Sequence, residues 1–498
     1  MFQNKHLWRR IVLGAACSLI LIATVSFRPV LHLIGTARRD VPQMEPLAPG
    51  FADDASRMNR TQVAEVVPVA AESLEAERQL AALLQRARSD GLHVSIAGTR
   101  HSMGGHTIYP GGLMIDMLPF HQMELNEQQE ILHVQAGARW KDVIPYLNQR
   151  GRSVAVMQSD NTFSVGGSIS VNCHGWQFGQ APISSTVESF RLMQANGEIV
   201  RCSRTQHEQL FSLVLGGYGL FGIILDVDLR VVPNERYRLE QFVVPVDRVL
   251  AVFEQKVQQN PDAAMVYARM GIVPKAFLDE VILNVLYRDP AADGTLPELT
   301  EPGMVVLRRN LFRGSEGSDY GKELRWAAEA RVQPHLNHRY FSRNQLLNEG
   351  SDIFQNRSAE TTNILHEYFI PPRNIETFVV DLRSIIPRHK GDLLNVTVRE
   401  VETDKDSFLR YADERLFSLV LLFNHARTLA ADARMEAMTQ DLIDSALAAG
   451  GRYYLPYRLH ATREQLRRAY PQADEFFQLK RKYDPDELFQ NQFYVKYK

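Results

Sequence analysis

Apolar residues along this chain keep a helical period in some segments and a two-residue alternation or short apolar run in others. Leu80, Leu83, Leu84 and Ala87 share one helical face in a segment that starts near Ser73 and stops at Gly91. Short β-like runs follow at 92–96, 112–117 and 131–134. The spacing predicts a helix over 138–150, ended by Gly151, and a strand over 153–157. Helices and strands alternate in this way to about residue 235, which implies a mixed domain. Past Pro233 the pattern changes. Strand-like runs at 242–246, 281–287, 394–401 and 416–423 are interleaved with helical pieces at 249–258 and 375–386, and glycine-rich loops become scarce. The expected fold class is therefore α+β. A first domain covers 51–235, a second domain at 236–440 has a sheet covered by helices, and a closing segment at 441–498 holds a helix over 463–469.

The N-terminus breaks this pattern. Residues 11–27 form a nearly unbroken apolar run between Arg10 and Arg28, at the short end of the ~20 residues a spanning helix needs. No Ala-x-Ala site follows, so an uncleaved single-pass membrane anchor is expected rather than a removed signal. Lys5, Arg9 and Arg10 precede the run and Arg28, Arg38 and Arg39 follow it; the preceding set lies nearer as a group, as in an export signal, so the body is expected on the non-cytoplasmic side. Pro29, Pro42, Pro46 and Pro49 mark 29–60 as a linker without periodicity.

Composition narrows the function classes. The 498 residues carry 45% hydrophobic and 23% charged residues and a net charge of −2, so a sizeable core is expected and no basic face for nucleic acid. Cys17, Cys173 and Cys202 are too few for a disulfide framework. His101/His106 and His335/His338 have no cysteine or carboxylate company at ligand spacing, so no metal site is expected.

Three glycine-bearing clusters carry the chemistry. The first joins two β-like runs and reads Gly98-Thr99-Arg100-His101-Ser102-Met103-Gly104-Gly105. Such a turn can aim several backbone N–H groups at one pyrophosphate, leaving the histidine beside whatever it carries. The second reads Ser164-Val165-Gly166-Gly167-Ser168, then Asn172-Cys173-His174-Gly175; alone it also reads as a tight β-turn. The third, Gly216-Gly217-Tyr218-Gly219-Leu220-Phe221-Gly222, contains Gly-x-Gly-x-x-Gly. It follows a helix-like piece and opens a strand at Ile223, the reverse of a Rossmann site. Neither a P-loop nor a Gly-x-Ser-x-Gly elbow occurs.

In order, these clusters resemble the FAD-binding domain of the vanillyl-alcohol oxidase, or PCMH, type of flavoproteins, the group of aldonolactone oxidases, alditol oxidases and cytokinin dehydrogenases. The family's Gly-x-Gly-His-Ser-x-x-Gly is met by 98–105 except that Arg100 replaces the middle glycine. Its Gly-Gly…Asn/Thr-x-His-Gly is met by Gly166, Gly167, Asn172, His174 and Gly175. Gly217, Gly219, Gly222 and Ile223 meet its third turn, and Tyr483-Asp484-Pro485…Phe489-Gln490-Asn491 resembles its closing motif. The resemblance implies FAD held by these residues, with Asn491 from the tail. His101 is at the position that bonds covalently to the flavin 8α-methyl in many members. Cys173 borders the path of oxygen. Arg399 fits an arginine that relatives carry in a cap-strand Glu-x-Arg, where Thr397 replaces the glutamate. The lysine of His-Trp-Gly-Lys is lost, with Tyr457 or Arg458 in its place.

The expected activity is oxidation of a CH–OH substrate (sugar, polyol, lactone or lipid-linked sugar-like) by hydride transfer to FAD, with oxygen or a membrane quinone as acceptor. A base near the substrate proton is required. Arg399, Tyr457, Arg458 and His460 are the catalytic candidates, and Glu367 is a further cap candidate. The alternatives are a flavin-dependent alkene reductase of the Δ24-sterol reductase type and a non-catalytic membrane scaffold.

Overall fold

A computed structural model describes residues 27–43, 46–291, 294–301, 303–336 and 340–498. The α+β class expected from the sequence holds. In the first domain a parallel three-stranded sheet places Leu113–Asp116 between Glu65–Pro68 and Val94–Ala97. The helix Ser73–Ser89 buries Ala76, Leu80, Leu83, Leu84 and Ala87, the face predicted from spacing. An antiparallel sheet follows in the order Ile199–Ser203, Val187–Met193, Ile223–Pro233, Ile131–Gln135 and Met123–Asn126, with Arg152–Val154 beside the end of Ile223–Pro233.

The second domain is one antiparallel sheet. Among the described residues its order is Tyr340–Ser342, Arg236–Pro245, Glu280–Arg288, Ala263–Met270, Asp392–Val401, Leu416–Ala426, Thr361–Ile370 and Arg452–Tyr453. Side chains alternate across a strand. Leu419, Leu421 and Phe423 join the core that includes the helices Ile375–Arg388 and Leu429–Ala448. The intervening Val420 and Leu422 line a cavity, as do Thr397 and Arg399, Leu365 and Glu367, and Ile282, Asn284 and Leu286. One face of this sheet is thus core and the other roofs the site.

The chain then returns to the first domain. Val94 N–H donates to Leu488 O (2.7 Å), and Gln490 N–H donates to Val94 O (2.9 Å). The Asp484 carboxylate fixes this turn by accepting from the N–H groups of Leu488 (3.0 Å) and Phe489 (2.8 Å) while paired to buried Lys480 at 2.6 Å.

The N-terminal expectations are corrected. Among the described residues no helix is long and apolar enough to cross a membrane, so a single-pass anchor with the body on its non-cytoplasmic side is not supported. The apolar run 11–27 lies, except for Phe27, outside the described residues. Residues 27–39 are helical rather than a linker. This helix packs on the second domain, where His32 Nε2 donates to Gly314 O (2.9 Å) and the Arg28 guanidinium sits 3.8 Å over the Tyr320 ring. Asp40 then pairs with buried Arg309. Spacing near Pro29 hid this helix because polar side chains, rather than an apolar stripe, make several of its contacts.

Candidate active site

The first glycine loop leaves the parallel sheet at Ala97. Arg100, which stands where the resemblance expects glycine, has φ +58°, and this left-handed backbone costs a side-chain-bearing residue roughly 1–2 kcal/mol. Its guanidinium faces Asp116 at 3.4 Å. The carbonyls of Arg100 and Ser102 both accept from Ala55 N–H, at 3.0 and 3.3 Å. The N–H groups of Thr99, Arg100, His101 and Ser102 have no acceptor among the described residues, and neither the Ser102 nor the Thr107 hydroxyl has a partner. All these residues line the cavity.

The second cluster is not a β-turn. Ser164 precedes a short helix, Val165–Ser170, whose glycines allow close packing. A Cβ on Gly98 would stand 2.1 Å from Ser164 Oγ, and one on Gly166 would stand 2.8 Å from Ala136 Cβ. In the third loop a Cβ on Gly217 would meet Leu213 O at 2.1 Å. Asn491 Nδ2 donates to Tyr218 O (2.9 Å), so the tail holds this loop from behind. All three loops border one cavity of about 1400 Å³.

His101 lies at the cavity wall, stacked on Phe163 with ring centroids 3.9 Å apart. Thr162 Oγ1 donates to Asp160 Oδ1 (2.6 Å) and therefore accepts from His101 Nε2 (3.0 Å), which leaves Nδ1 with the lone pair. Burial lowers the His101 pKa against the opposing charge of Asp160, so the ring is neutral near pH 7.

Opposite the loops, Glu367 collects four polar groups. Its Oε1 accepts from His174 Nε2 and Ser418 Oγ, both at 2.5 Å, and its Oε2 accepts from Tyr457 OH at 2.9 Å. The fourth is Arg399, whose charge acts on Glu367 while its Nη2 donates to Ser159 Oγ (2.8 Å). Burial raises the Glu367 carboxyl, but His174, Arg399 and Ser418 together outweigh it and hold the group below its ordinary value. Tyr457 is pushed well above the usual phenol range, by burial first and then by Glu367. Burial lowers Arg399 against the pull of Glu367, and its Nε has no partner. His174 Nδ1 is also without one. Cys173, beside it, is a thiol that burial pushes up to about 12.

Sheet register explains why spacing, which named Glu367 as a cap candidate, could not place it in the site. Thr397 is paired with Val420, and Val420 with Glu367. The three stand in one row across the sheet, so Glu367 presents its carboxylate two strands, roughly 10 Å, from the Thr397 position. A glutamate within the apolar run Ile364–Ile370 was the available signal.

Two catalytic candidates are corrected. Arg458 and His460 do not line the cavity. They bind Asp432, through Arg458 Nη2 at 2.9 Å and His460 Nε2 at 3.2 Å, because successive residues after Pro456 turn to different sides. Of Tyr457 and Arg458, it is Tyr457 that faces the cavity. Gly104, Gly105, Asn172, Gly175, Ile223 and Asn491 stand behind the cavity wall. Gly105 N–H donates to Asp54 (2.8 Å), Asn172 Nδ2 donates to Asp404 (2.8 Å), and a Cβ on Gly175 would meet Met157 O at 1.9 Å.

Residues 69–203 match a family described as FAD binding domain, and residues 325–497 match D-arabinono-1,4-lactone oxidase. Together the two matches fit the PCMH-type FAD oxidoreductase superfamily that the glycine clusters resemble. Similar proteins include cytokinin dehydrogenase 2 of Arabidopsis thaliana, 32% identical over 132 residues (26% of each chain). Another is an uncharacterized oxidoreductase of a fasciation locus in Rhodococcoides fascians, 29% identical over 221 residues (41% of this chain, 50% of that one). A third is D-arabinono-1,4-lactone oxidase of Debaryomyces hansenii, 27% identical over 182 residues (34% and 32%). The chain spans about a quarter to a half of the length of these curated relatives. As expected for this superfamily, the cofactor is FAD. The residues present fit it: unpaired N–H and hydroxyl donors line the cavity where the glycine loops meet, and such donors suit a pyrophosphate.

Proposed function

We propose that this chain is an FAD-dependent oxidase or dehydrogenase that oxidises a CH–OH carbon of a small molecule. One observation carries the reading: the donor-rich glycine loops and the Glu367, His174, Arg399 and Tyr457 constellation border the same cavity. Bound FAD supplies the two-electron acceptor that takes hydride from the substrate carbon. Arg399, protonated at working pH, holds the substrate oxygen and stabilises negative charge on it, while Tyr457, its one proton donated to Glu367, walls the site beside it. His174 takes the hydroxyl proton at Nδ1, because Nε2 is committed to Glu367. Glu367, which accepts from Nε2, stabilises the imidazolium so formed. The cofactor-binding residues are those of the three loops that line the cavity, residues 98–103, Gly166, Gly167, Cys173, His174, Gly217, Gly219 and Gly222, while Gly104, Gly105, Asn172, Gly175, Ile223 and Asn491 support them from behind. His101 carries the covalent link through Nδ1, the nitrogen its bond to Thr162 leaves free. Cys173 fills space beside His174, on the side from which oxygen is expected to approach, which favours an acceptor other than oxygen.

The test is purification of the full chain and anaerobic addition of polyols, lactones, amines and lipid-linked sugars while flavin absorbance is followed. Bleaching by an alcohol supports the reading. Bleaching by NADH or NADPH instead transfers it to an alkene reductase, and a colourless folded protein refutes it.

A further inference from the structure

We propose that the substrate is an amphiphile: a hydroxylated head at Glu367 and Arg399 carrying a hydrocarbon tail that leaves through the cap. This rests on the proposed function and names its substrate class. The cavity, about 1400 Å³, holds the FAD site between the glycine loops and runs on past the Glu367 cluster into the cap, where Leu311 and Leu307 line it. Beyond the polar cluster its wall includes the apolar Leu239, Ile282, Leu286, Leu365 and Leu422 of the cap sheet and Leu311 of the helix Val305–Arg313. Most charged groups deeper in this outer part are paired, Arg325 and Arg269 sharing Glu329 at 2.7 and 3.3 Å and Arg308 facing Glu349 at 3.0 Å. They leave little net charge to hold an ionic substrate.

The mouth carries the second observation. Met304, Leu307 and Val332 line the cavity and are 67%, 46% and 50% exposed. Val306, next to Leu307, is 72% exposed. Large apolar side chains gathered at a cavity rim mark a surface that receives an apolar ligand. A bare sugar or lactone would occupy the polar end and leave this rim in water. A tail would cover it, with the exposed Glu298 and Glu301 beside it where the tail meets solvent.

The test uses the flavin-loaded full chain and 1,2-alkanediols from four to twelve carbons. Anaerobic flavin reduction is measured together with displacement of a pyrene-labelled dodecanol. Each methylene moved from water into the channel raises kcat/KM and displacement affinity up to about fourfold, until the tail reaches the rim. Met304→Asn combined with Leu307→Asn flattens the series at its long end. Repeating the series with phosphatidylcholine vesicles identifies the source: a rate that follows dissolved diol means free amphiphile, and one that follows vesicle-held diol means a lipid phase. Short and long diols reducing the flavin equally overturn the tail channel and leave the proposed function standing. Tail-dependent displacement without reduction does the reverse. Neither reduction nor displacement overturns both.

Discussion

Glu367→Gln tests the centre of the site. The side chain keeps its shape and one acceptor oxygen but loses its charge. In the native chain that charge faces His174 and Ser418 at 2.5 Å and Tyr457 at 2.9 Å, and it offsets buried Arg399. Removing one member of a buried ion pair strands the other and costs about 3–5 kcal/mol. At ~2–4 °C per kcal/mol for a unit of 150–250 residues, melting of the cap falls by roughly 6–20 °C. Loss of the charge that stabilises the imidazolium slows anaerobic flavin reduction by a further ~100-fold or more. The pH dependence has a definite sign. Because the native carboxyl is held below its ordinary value, its contribution is complete above the unfolded carboxyl pKa and is lost as pH falls through the lower folded value. The variant lacks this acid-side loss. Thermal melts at several pH values and stopped-flow bleaching check both effects. A Gln variant that melts within about 1 °C of wild type and bleaches at the same rate would refute the reasoning.

Gly217→Ala puts a Cβ 2.1 Å from Leu213 O, a backbone atom that cannot move aside; strain of about 1–3 kcal/mol and loss of bound flavin are expected by absorbance and melting. His101→Ala abolishes flavin that survives acid precipitation while free FAD still binds; acid-stable flavin in that variant would exclude the link. Buried His366 is lowered to about 3, by burial first and then by His460 and His425. It stays neutral in the fold while the unfolded chain takes up a proton below ~6.5, so stability falls by up to ~1.4 kcal/mol per pH unit from there towards 3. His366→Gln flattens that fall in urea unfolding compared at pH 7 and 5. Asp432 is held at about 2: burial opposes the shift, and His460 and Arg458 outweigh it. Asp432→Asn costs ~2 kcal/mol at pH 7 and removes the acid transition between about pH 4 and 2.

The glycine loops were legible because they are made by local backbone. A glycine cluster after a strand says where N–H groups can gather, whatever lies far away in sequence. Arg100 shows the limit of this. Sequence marked it as a departure from glycine, and the structure shows that the loop keeps the left-handed backbone and accepts the strain. The choice between Tyr457 and Arg458 was not legible, because two neighbours in an irregular segment point to different sides only once Asp432 and Glu367 are in place.

What the sequence alone determined is therefore what depends on near neighbours: the helix from Ser73, the alternation that makes the cap a sheet, and the glycine turns with their histidine. What only the tertiary structure decided is what depends on register between distant strands. Glu367 reaches the site because Thr361–Ile370 pairs with Leu416–Ala426, which in turn pairs with Asp392–Val401. A shift of one residue in that pairing would turn its carboxylate to the helix-covered face. The fate of 27–39 is a second case, since its helix is fixed by contacts with Gly314 and Tyr320 nearly three hundred residues on. Residue type fixes the chemistry a side chain can perform, but the companions of a buried charge come from whichever strands the folded sheet sets beside it.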